Sequence, residues 1–346
     1  MSNAPDRLDG FHSFNLCCRS KSDPGRSKEN LQSYTTDRRV FEYWVEGDWV
    51  AADRLMGAIR SDDAIKMERC LNDHSGPCSA DHIGPISLGF MHRPQFQLLC
   101  KNCNSAKNNR MSFRDVCHLV LVGKSGEEVA SWYCRSLWEQ RKGSVHDDET
   151  ALRLSKLLRD NRHTFMRLLQ RIADAGHFVF LTTFLGLQYA HKNVEFVNLG
   201  IEDHITRFDE LVYGDRTTKY AVEQQARRLR VAFAALREYV QKETRNAFVI
   251  STDETEQLIR DALCELNASP AAVKRLDQEL QAVLSEKVPS EEKLRSLAKK
   301  IEAIGNKPVQ FSRARRKLQQ TMDLVAAELA GLWEDERYVR APLEEF

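Results

Sequence analysis

The chain has 346 residues, of which 42% are hydrophobic, and this is enough to bury the cores of about two or three domains. Its 51 basic and 50 acidic residues leave a formal net charge of +1, which excludes a protein that coats DNA through a uniformly basic surface. Because no apolar run approaches the roughly 18 residues of a membrane-spanning helix and no secretory signal opens the chain, we expect a soluble cytoplasmic protein without a membrane partner.

The first part of the chain changes character near residue 38. Residues 1–37 are rich in Ser, Asp, Lys, Arg, Gly and Pro and show no sustained apolar period, which predicts a flexible N-terminal arm. Residues 38–69 carry regularly placed aromatic and aliphatic side chains. We expect a short extended or helical piece here, followed by a helix that covers the next segment.

Cysteines and one histidine in the next segment have metal-ligand spacing. Cys70 and Cys78 lie eight residues apart, and Cys100 and Cys103 form a C-x2-C pair. Four thiolates so placed suit the tetrahedral coordination of a structural Zn²⁺ ion, although buried cysteines also pack without a metal. The first spacing is wider than usual, so His74 is an alternative to one of the first two cysteines. The nine cysteines, an odd number, favour a reducing compartment over a disulfide framework.

The residues between the cysteine pairs predict the order strand, strand, helix. Apolar residues within 83–90, interrupted by Gly84-Pro85 and Gly89, favour a short ribbon with a wide turn. Residues 96–100 form a second short apolar segment, and residues 104–110 have the composition of a helix start. Zinc would hold the base of this unit together.

Three polar residues in this unit can support phosphodiester hydrolysis. Asp81 and Asn104 offer hard oxygen ligands suited to Mg²⁺ or Mn²⁺. His82 follows Asp81 directly, and neighbours on a strand point to opposite faces, so His82 is free to act as general base. A divalent ion and one histidine can together activate water, stabilise charge at phosphorus and assist the departing oxygen.

Basic residues are concentrated around the same unit. Between residues 81 and 124 there are six Lys or Arg and two acidic residues, which is the sign expected where phosphates are bound. We expect contacts that position the DNA backbone from Arg93, Lys107, Asn108 and Arg110.

These motifs resemble those of a known nuclease family. The segments SADHIGP at 79–85 and CNSAKNNRM at 103–111 are similar to those of the HNH, or ββα-metal, nucleases. More narrowly, they resemble the HNH-type type IIS restriction endonucleases of the BsaI-like group. Further similarity at 131–132, 147–155 and 195–199 extends the resemblance over about residues 65–245.

The resemblance implies a role for each residue. His82 would deprotonate the attacking water, while Asp81 and Asn104 would hold Mg²⁺ or Mn²⁺ against the scissile phosphate of double-stranded DNA, leaving 5′-phosphate and 3′-hydroxyl ends. Gln95 falls where many members have an Asn that braces the histidine loop, so a supporting role is implied for it. The alternative function is a non-catalytic, zinc-containing module that binds nucleic acid.

The resemblance also bears on partners. Type IIS members are longer, with a recognition region upstream of the nuclease, whereas only about 69 residues precede Cys70 here. The chain is then expected to be a fragment, a compact member or a cleavage subunit directed by a separate recognition partner. A homodimer is compatible with a site that cuts one strand at a time. The recognition sequence does not follow from these patterns.

The remainder of the chain is predicted to be helical apart from one connecting segment at 193–218. The helix after Arg110 has apolar residues at 113, 116, 117, 120 and 121. Further helices are expected at 127–142, 147–175, 178–187, 220–243, 253–267, 270–286, 290–304 and 310–336. No Walker loop, dinucleotide fingerprint or Ser-His-Asp elbow occurs, so nucleotide hydrolysis and esterase chemistry have no support.

We therefore predict an α+β, mostly helical fold with a zinc-braced ββα-metal core and a largely helical C-terminal part. The predicted domains are a flexible arm at 1–37, the HNH nuclease domain at 38–125, a helical support region at 126–218 and a helical bundle or coiled hairpin at 219–346.

Overall fold

A computed structural model defines the fold. It describes residues 44–66, 68, 70–185, 194–214, 229, 232, 233, 236, 248–286, 291–305 and 311–339. The protein is mostly helical with a small antiparallel sheet, so the predicted α+β class is confirmed. The predicted arm at 1–37 and most of the predicted helix at 220–243 lie outside the described residues.

The chain divides into two compact units. The first unit comprises residues 45–162, 191–216 and 322–346, and the second comprises residues 1–44, 163–190 and 217–321. The first unit contains every residue assigned above to the catalytic and metal sites. Each unit is described separately below.

The first unit begins with the helix expected before the cysteines. Helix α1, Trp49–Ser61, starts after Asp48, whose side chain accepts a hydrogen bond from the backbone N–H of Ala51. The short helix α2, Asp63–Lys66, follows it. The buried face of α1 packs with the cysteines and the strands in one apolar cluster, formed by Ala52, Leu55, Ile59, Ile65, Cys70, Cys78, Phe96, Leu98, Leu99, Cys100 and Cys103.

Two strands and a helix then follow in the predicted order. Strand β1, Cys78–His82, pairs antiparallel with strand β2, Phe96–Cys100, so that Cys78 lies opposite Cys100 and Asp81 lies opposite Gln97. Helix α3, Lys101–Lys107, begins directly at the end of β2. It starts three residues before the predicted position, because Cys100 is itself the N-cap residue and the C-x2-C pair occupies the first turn.

The predicted ribbon over 83–90 is wrong in its extent. Strand β1 ends at His82, and residues Ile86–Leu88 form a single 3₁₀ turn. Gly84-Pro85 stops the strand because proline has no N–H to donate to a ladder. The chain turns back at Gly89, which has a φ of 95°.

The segment predicted as a connection at 193–218 contains four strands. They are β3, Val194–Val197; β4, Gly200–Glu202; β5, Ile205–Arg207; and β6, Glu210–Tyr213. Strand β5 pairs with β2, giving the sheet order β1-β2-β5-β4, and β3 pairs with β6 separately. Strands of three or four residues are too short for a period of two to be visible in the sequence.

Four helices follow the ββα unit as predicted. They are α4, Phe113–Lys124; α5, Trp132–Arg141; α6, Asp148–Asp174; and α7, Phe178–Phe184. Ser112 and Asp115 form a capping box at the start of α4. The buried face of α4 differs from the predicted one: Val116 and Leu119 are buried, whereas Leu121 is 64% exposed.

The second unit contains the C-terminal helices. Helices α8, Asp253–Asn267; α9, Ala271–Leu284; and α10, Glu291–Gly305, agree with the predicted ones. Helix α11, Ser312–Gly331, also agrees; it belongs to the second unit up to residue 321 and to the first unit from residue 322, and α12, Glu336–Val339, follows in the first unit. Asp277 of α9 accepts a hydrogen bond from the backbone N–H of Val179 at 2.7 Å, which fixes the start of α7. None of the helices within the described residues is both long and apolar enough to cross a membrane.

Candidate functional site

Helix α3 and strand β1 bring Asp81, Asn104 and Lys107 to one face of the hairpin. Ser79 and Asp81 point to the same face of β1 because they are two residues apart. Asn104 Nδ2 donates to Ser79 Oγ at 3.2 Å, and Lys107 Nζ donates to Asp81 Oδ2 at 2.7 Å. Asn104 and Lys107 are three residues apart and therefore occupy one face of α3. Asn104 thus lies one helical turn from the contact to Asp81.

Asp81 is held by two donors. Besides Lys107, Gln97 Nε2 donates to Asp81 Oδ2 at 2.9 Å from the opposite position on β2. Gln97 is buried and its amide also donates to Asp115 Oδ1 at 3.0 Å. Burial raises the pKa of Asp81, and the Lys107 ammonium and the Gln97 amide oppose that shift by stabilising the carboxylate.

Lys107 points inward. Its side chain is only 10% exposed, and its ammonium donates to the backbone oxygens of His82 at 2.6 Å and Ile83 at 3.2 Å. Asp115 Oδ1 lies 3.5 Å from the same nitrogen. The sequence predicts contact of this lysine with DNA, whereas in the structure its ammonium is engaged within the protein.

His82 points to the other face of β1, as the strand period predicts. His82 Nε2 lies 2.9 Å from His92 Nδ1, and its ring contacts that of Phe96. Burial lowers the pKa of His82 well below its usual value, and the nearby His92 and Lys107 add to the shift. The imidazole of His82 is therefore neutral near pH 7.

His92 is held in turn by α1 and the segment before it. Its ring packs against Trp49 with ring centroids 4.3 Å apart, and its backbone N–H donates to the oxygen of Glu46 at 2.9 Å. Gly47 has a φ of 138°, and a Cβ there would lie 2.2 Å from the backbone oxygen of His92. Only glycine allows the two backbones to approach so closely.

Gln95 lies near His82 without contacting it by a hydrogen bond that the structure describes. Its Oε1 is 3.3 Å from His118 Nε2. Gln95, Arg93 and His82 contribute to the lining of a cavity of about 20 Å³, which is large enough for about one water molecule. Arg93 also forms an ion pair with Glu127.

The other residues predicted to contact DNA lie at the end of α3. Asn108 ends this helix with a φ of 48°, a conformation that asparagine tolerates better than most residues. Arg110 is partly buried and donates to the backbone oxygens of Ala106 and Lys107. These contacts cap the C-terminus of the helix.

The cysteines converge at the base of the hairpin. The sulfur atoms of Cys70, Cys100 and Cys103 all lie within 4.8 Å of one another and are buried. Cys78 lies opposite Cys100 in the strand pair, and its thiol donates to the backbone oxygen of Glu68 at 3.3 Å. His74 Nδ1 lies 2.9 Å from the sulfur of Cys103. Three thiols therefore form the group, with Cys78 and His74 adjacent to it.

Burial and crowding make the thiols of Cys78 and Cys103 costly to ionise without a metal. Burial and the neighbouring thiols raise the pKa of Cys78 to about 11. The backbone N–H of Cys103 lowers the pKa of Cys100 to about 7, because Cys100 is at a helix N-terminus. A hydrogen bond with Asn72 favours the Cys103 thiolate, but burial and the adjacent thiols outweigh it and raise that pKa to about 11. A divalent cation would relieve this repulsion.

Three residues that contact the predicted ones were not identified from the sequence. They are His92, Gln97 and Asp115. The Ser112-x-x-Asp115 spacing is a visible capping box, but it indicates only a helix start. Gln97 was detectable only once the strand register placed it opposite Asp81, and no sequence signal pairs His92 with His82.

Comparison with known protein families gives one match. A family model described as type II restriction endonuclease (RE_Alw26IDE) matches residues 1–330. No curated protein and no solved structure matches the chain.

The protein is therefore a type II restriction endonuclease, a site-specific nuclease that acts on double-stranded DNA. The chain belongs to the Alw26I/Eco31I/Esp3I family of these enzymes. Type II restriction endonucleases generally use divalent metal ions, and the buried cysteine group could bind a metal.

Proposed function

We propose that the first unit is an HNH-type nuclease domain that hydrolyses phosphodiester bonds of double-stranded DNA to 5′-phosphate and 3′-hydroxyl ends. The observation that carries this proposal is the ββα unit itself. It places Asp81 and His82 on opposite faces of β1 and sets Asn104 on α3, on the side of Asp81. We also propose that it cuts outside its recognition sequence, as type IIS enzymes do.

Asp81 and Asn104 are the residues that would hold a catalytic Mg²⁺ or Mn²⁺ ion. Both present oxygen atoms, which these ions prefer, and they lie on the same side of the hairpin. When bound, the ion supplies stabilisation of the charge that develops on the phosphate and on the departing 3′-oxygen.

His82 acts as the general base in this proposal. If its Nε2–H donates to Nδ1 of His92, then its own Nδ1 keeps a lone pair. That nitrogen takes the proton of a water whose oxygen bonds to phosphorus as the bond from phosphorus to the 3′-oxygen breaks. The cavity of about 20 Å³ beside His82 has room for such a water.

Cys70, Cys100 and Cys103 are proposed as ligands of a structural Zn²⁺ ion. Zn–S bonds of about 2.3 Å place the sulfur atoms of a tetrahedral site about 3.8 Å apart, which is compatible with the observed group. The fourth ligand is Cys78 or His74, since Cys78 lies opposite Cys100 in the strand pair and His74 Nδ1 lies 2.9 Å from the sulfur of Cys103.

Conversion of supercoiled plasmid tests the nuclease. Purified protein is incubated with Mg²⁺ or Mn²⁺, beside an EDTA control and a metal-free control. We expect nicking or linearisation only with the added ion, and discrete bands would show sequence specificity. If folded, metal-loaded protein binds DNA but leaves the plasmid supercoiled with either ion, the chain is a binding module rather than a nuclease.

His92 is expected to orient His82. In His92→Phe the ring that packs on Trp49 is kept while the acceptor for His82 is lost, so kcat should fall about 10-fold or more with little change in KM for DNA. His92→Gln retains an acceptor and should recover part of the rate. Steady-state cleavage kinetics on a linear substrate provide both constants. Equal activity of the Phe variant and the wild type would contradict the orienting role.

A further inference from the structure

Lys107 is surrounded by oxygen atoms of the protein rather than directed to solvent. Its Nζ lies 2.7 Å from Asp81 Oδ2, 2.6 Å from the backbone oxygen of His82 and 3.2 Å from that of Ile83. Asp115 Oδ1 is 3.5 Å away. One ammonium thus joins the proposed metal ligand, the main chain of the proposed base and the start of α4.

The contacts to Asp81 leave one of its oxygens for another partner. Lys107 and Gln97 both donate to Oδ2. Among the hydrogen bonds of the described residues, none has Asp81 Oδ1 as its acceptor. A carboxylate held through one oxygen by neighbouring donors has its other oxygen oriented for a metal, as is common for ligating carboxylates.

A second carboxyl group, that of Asp115, lies beside Lys107. Asp115 is buried, and its Oδ2 accepts hydrogen bonds from the backbone N–H of Ser112 at 2.8 Å and its hydroxyl at 2.9 Å. Its Oδ1 lies 3.5 Å from the Lys107 ammonium, so Asp81 and Asp115 share that one ammonium and hold it from two sides.

We propose that Lys107 is a positioning residue that, with Gln97, fixes Asp81 through Oδ2 and presents Oδ1 to the catalytic metal. This inference rests on the proposed function, since it requires Asp81 to be a metal ligand. The same ammonium fixes the backbone carbonyls of His82 and Ile83, so it also sets the position from which His82 acts.

Direct Mn²⁺ binding tests this role without relying on activity. Free Mn²⁺ is measured by electron paramagnetic resonance during titration of zinc-loaded full-length protein. Lys107→Met should weaken binding by about 10- to 100-fold, the usual cost of losing a residue that orients a ligand. Gln97→Leu removes one donor without leaving an unpaired charge, so a smaller loss is expected.

Two other roles for Lys107 predict different results, and either result would overturn the proposal. If the ammonium only competes with the metal for Asp81, Lys107→Met should bind Mn²⁺ more tightly. If Lys107 instead contacts a phosphate, the variant should bind Mn²⁺ normally and bind DNA more weakly. The slope of the logarithm of the DNA-binding constant against the logarithm of salt concentration should then be shallower by about one.

Controls separate this inference from the proposed function and from misfolding. Lys124→Met changes an exposed lysine at the end of α4 and should leave Mn²⁺ binding unchanged. Asp81→Asn should abolish the site, and wild-type binding that is independent of Asp81 would refute the proposed metal site itself. Binding that needs Asp81 but is unaffected in Lys107→Met and Gln97→Leu overturns only the positioning role. Zinc content and melting temperature identify variants that fail to fold. If Lys107→Met fails to fold, Mn²⁺ binding by Gln97→Leu tests the positioning of Asp81 instead.

Discussion

Replacing His82 with Ala is expected to lower the rate of DNA cleavage by about 100- to 10,000-fold, the usual contribution of a general base. DNA binding should stay within about twofold of the wild-type value, because His82 faces His92 and Phe96 and carries no charge near pH 7. Cleavage is measured on plasmid with Mg²⁺, and binding is measured on a duplex with Ca²⁺ in place of Mg²⁺.

A matched control is available in the same unit. The imidazole of His146 is 74% exposed, so His146→Ala should leave both cleavage and binding unchanged. Parallel loss of cleavage and binding in His82→Ala would reject the general-base role, because it would indicate a damaged fold or a lost DNA contact. Full activity in His82→Ala would reject it as well.

Cys100→Ser is expected to release the proposed Zn²⁺ ion and to destabilise the hairpin. Cys100 lies at the junction of β2 and α3, and its backbone N–H donates to the sulfur of Cys70 at 3.2 Å. Because metal affinity and folding free energy are coupled in such sites, we expect a loss of at least about 2 kcal/mol, or a fall of about 5 °C in melting temperature. Zinc content per chain and thermal unfolding are the measurements.

Cys264→Ser is the matched control, because Cys264 is exposed on α8 and lies in the second unit. Unchanged zinc content and melting temperature in Cys100→Ser would contradict the structural zinc site. The fourth ligand is identified by comparing Cys78→Ser with His74→Ala. The variant of the true ligand should lose zinc affinity, whereas the other should keep it.

Several features of the site could be predicted because they depend on short stretches of chain. The alternation of faces along a strand separates Asp81 from His82, and the C-x2-C spacing puts both sulfurs in the first turn of α3. Helices of ten or more residues, such as α6 and α11, carry enough turns for their period to be detected.

The sequence-based predictions were wrong where pairing between distant segments decided the structure. The strands at 194–213 are three or four residues long, and β5 is stabilised by pairing with β2, about 110 residues earlier in the chain. A hydrogen bond from the backbone N–H of Phe96 to the side-chain Oγ1 of Thr206 supports that pairing. No local pattern indicates it, because a short strand acquires its stability from its partner.

The sequence by itself determined the chemical inventory of this protein and its local order. Its motifs and spacing indicated the strand, strand, helix order, the cysteine group and the Asp-His pair, because those depend on neighbouring residues. Only the tertiary structure decided which partners these polar side chains meet. Lys107 turns toward Asp81 and His82 meets His92 because burial forces each polar atom to find a partner, and those partners come from segments that only the fold brings together.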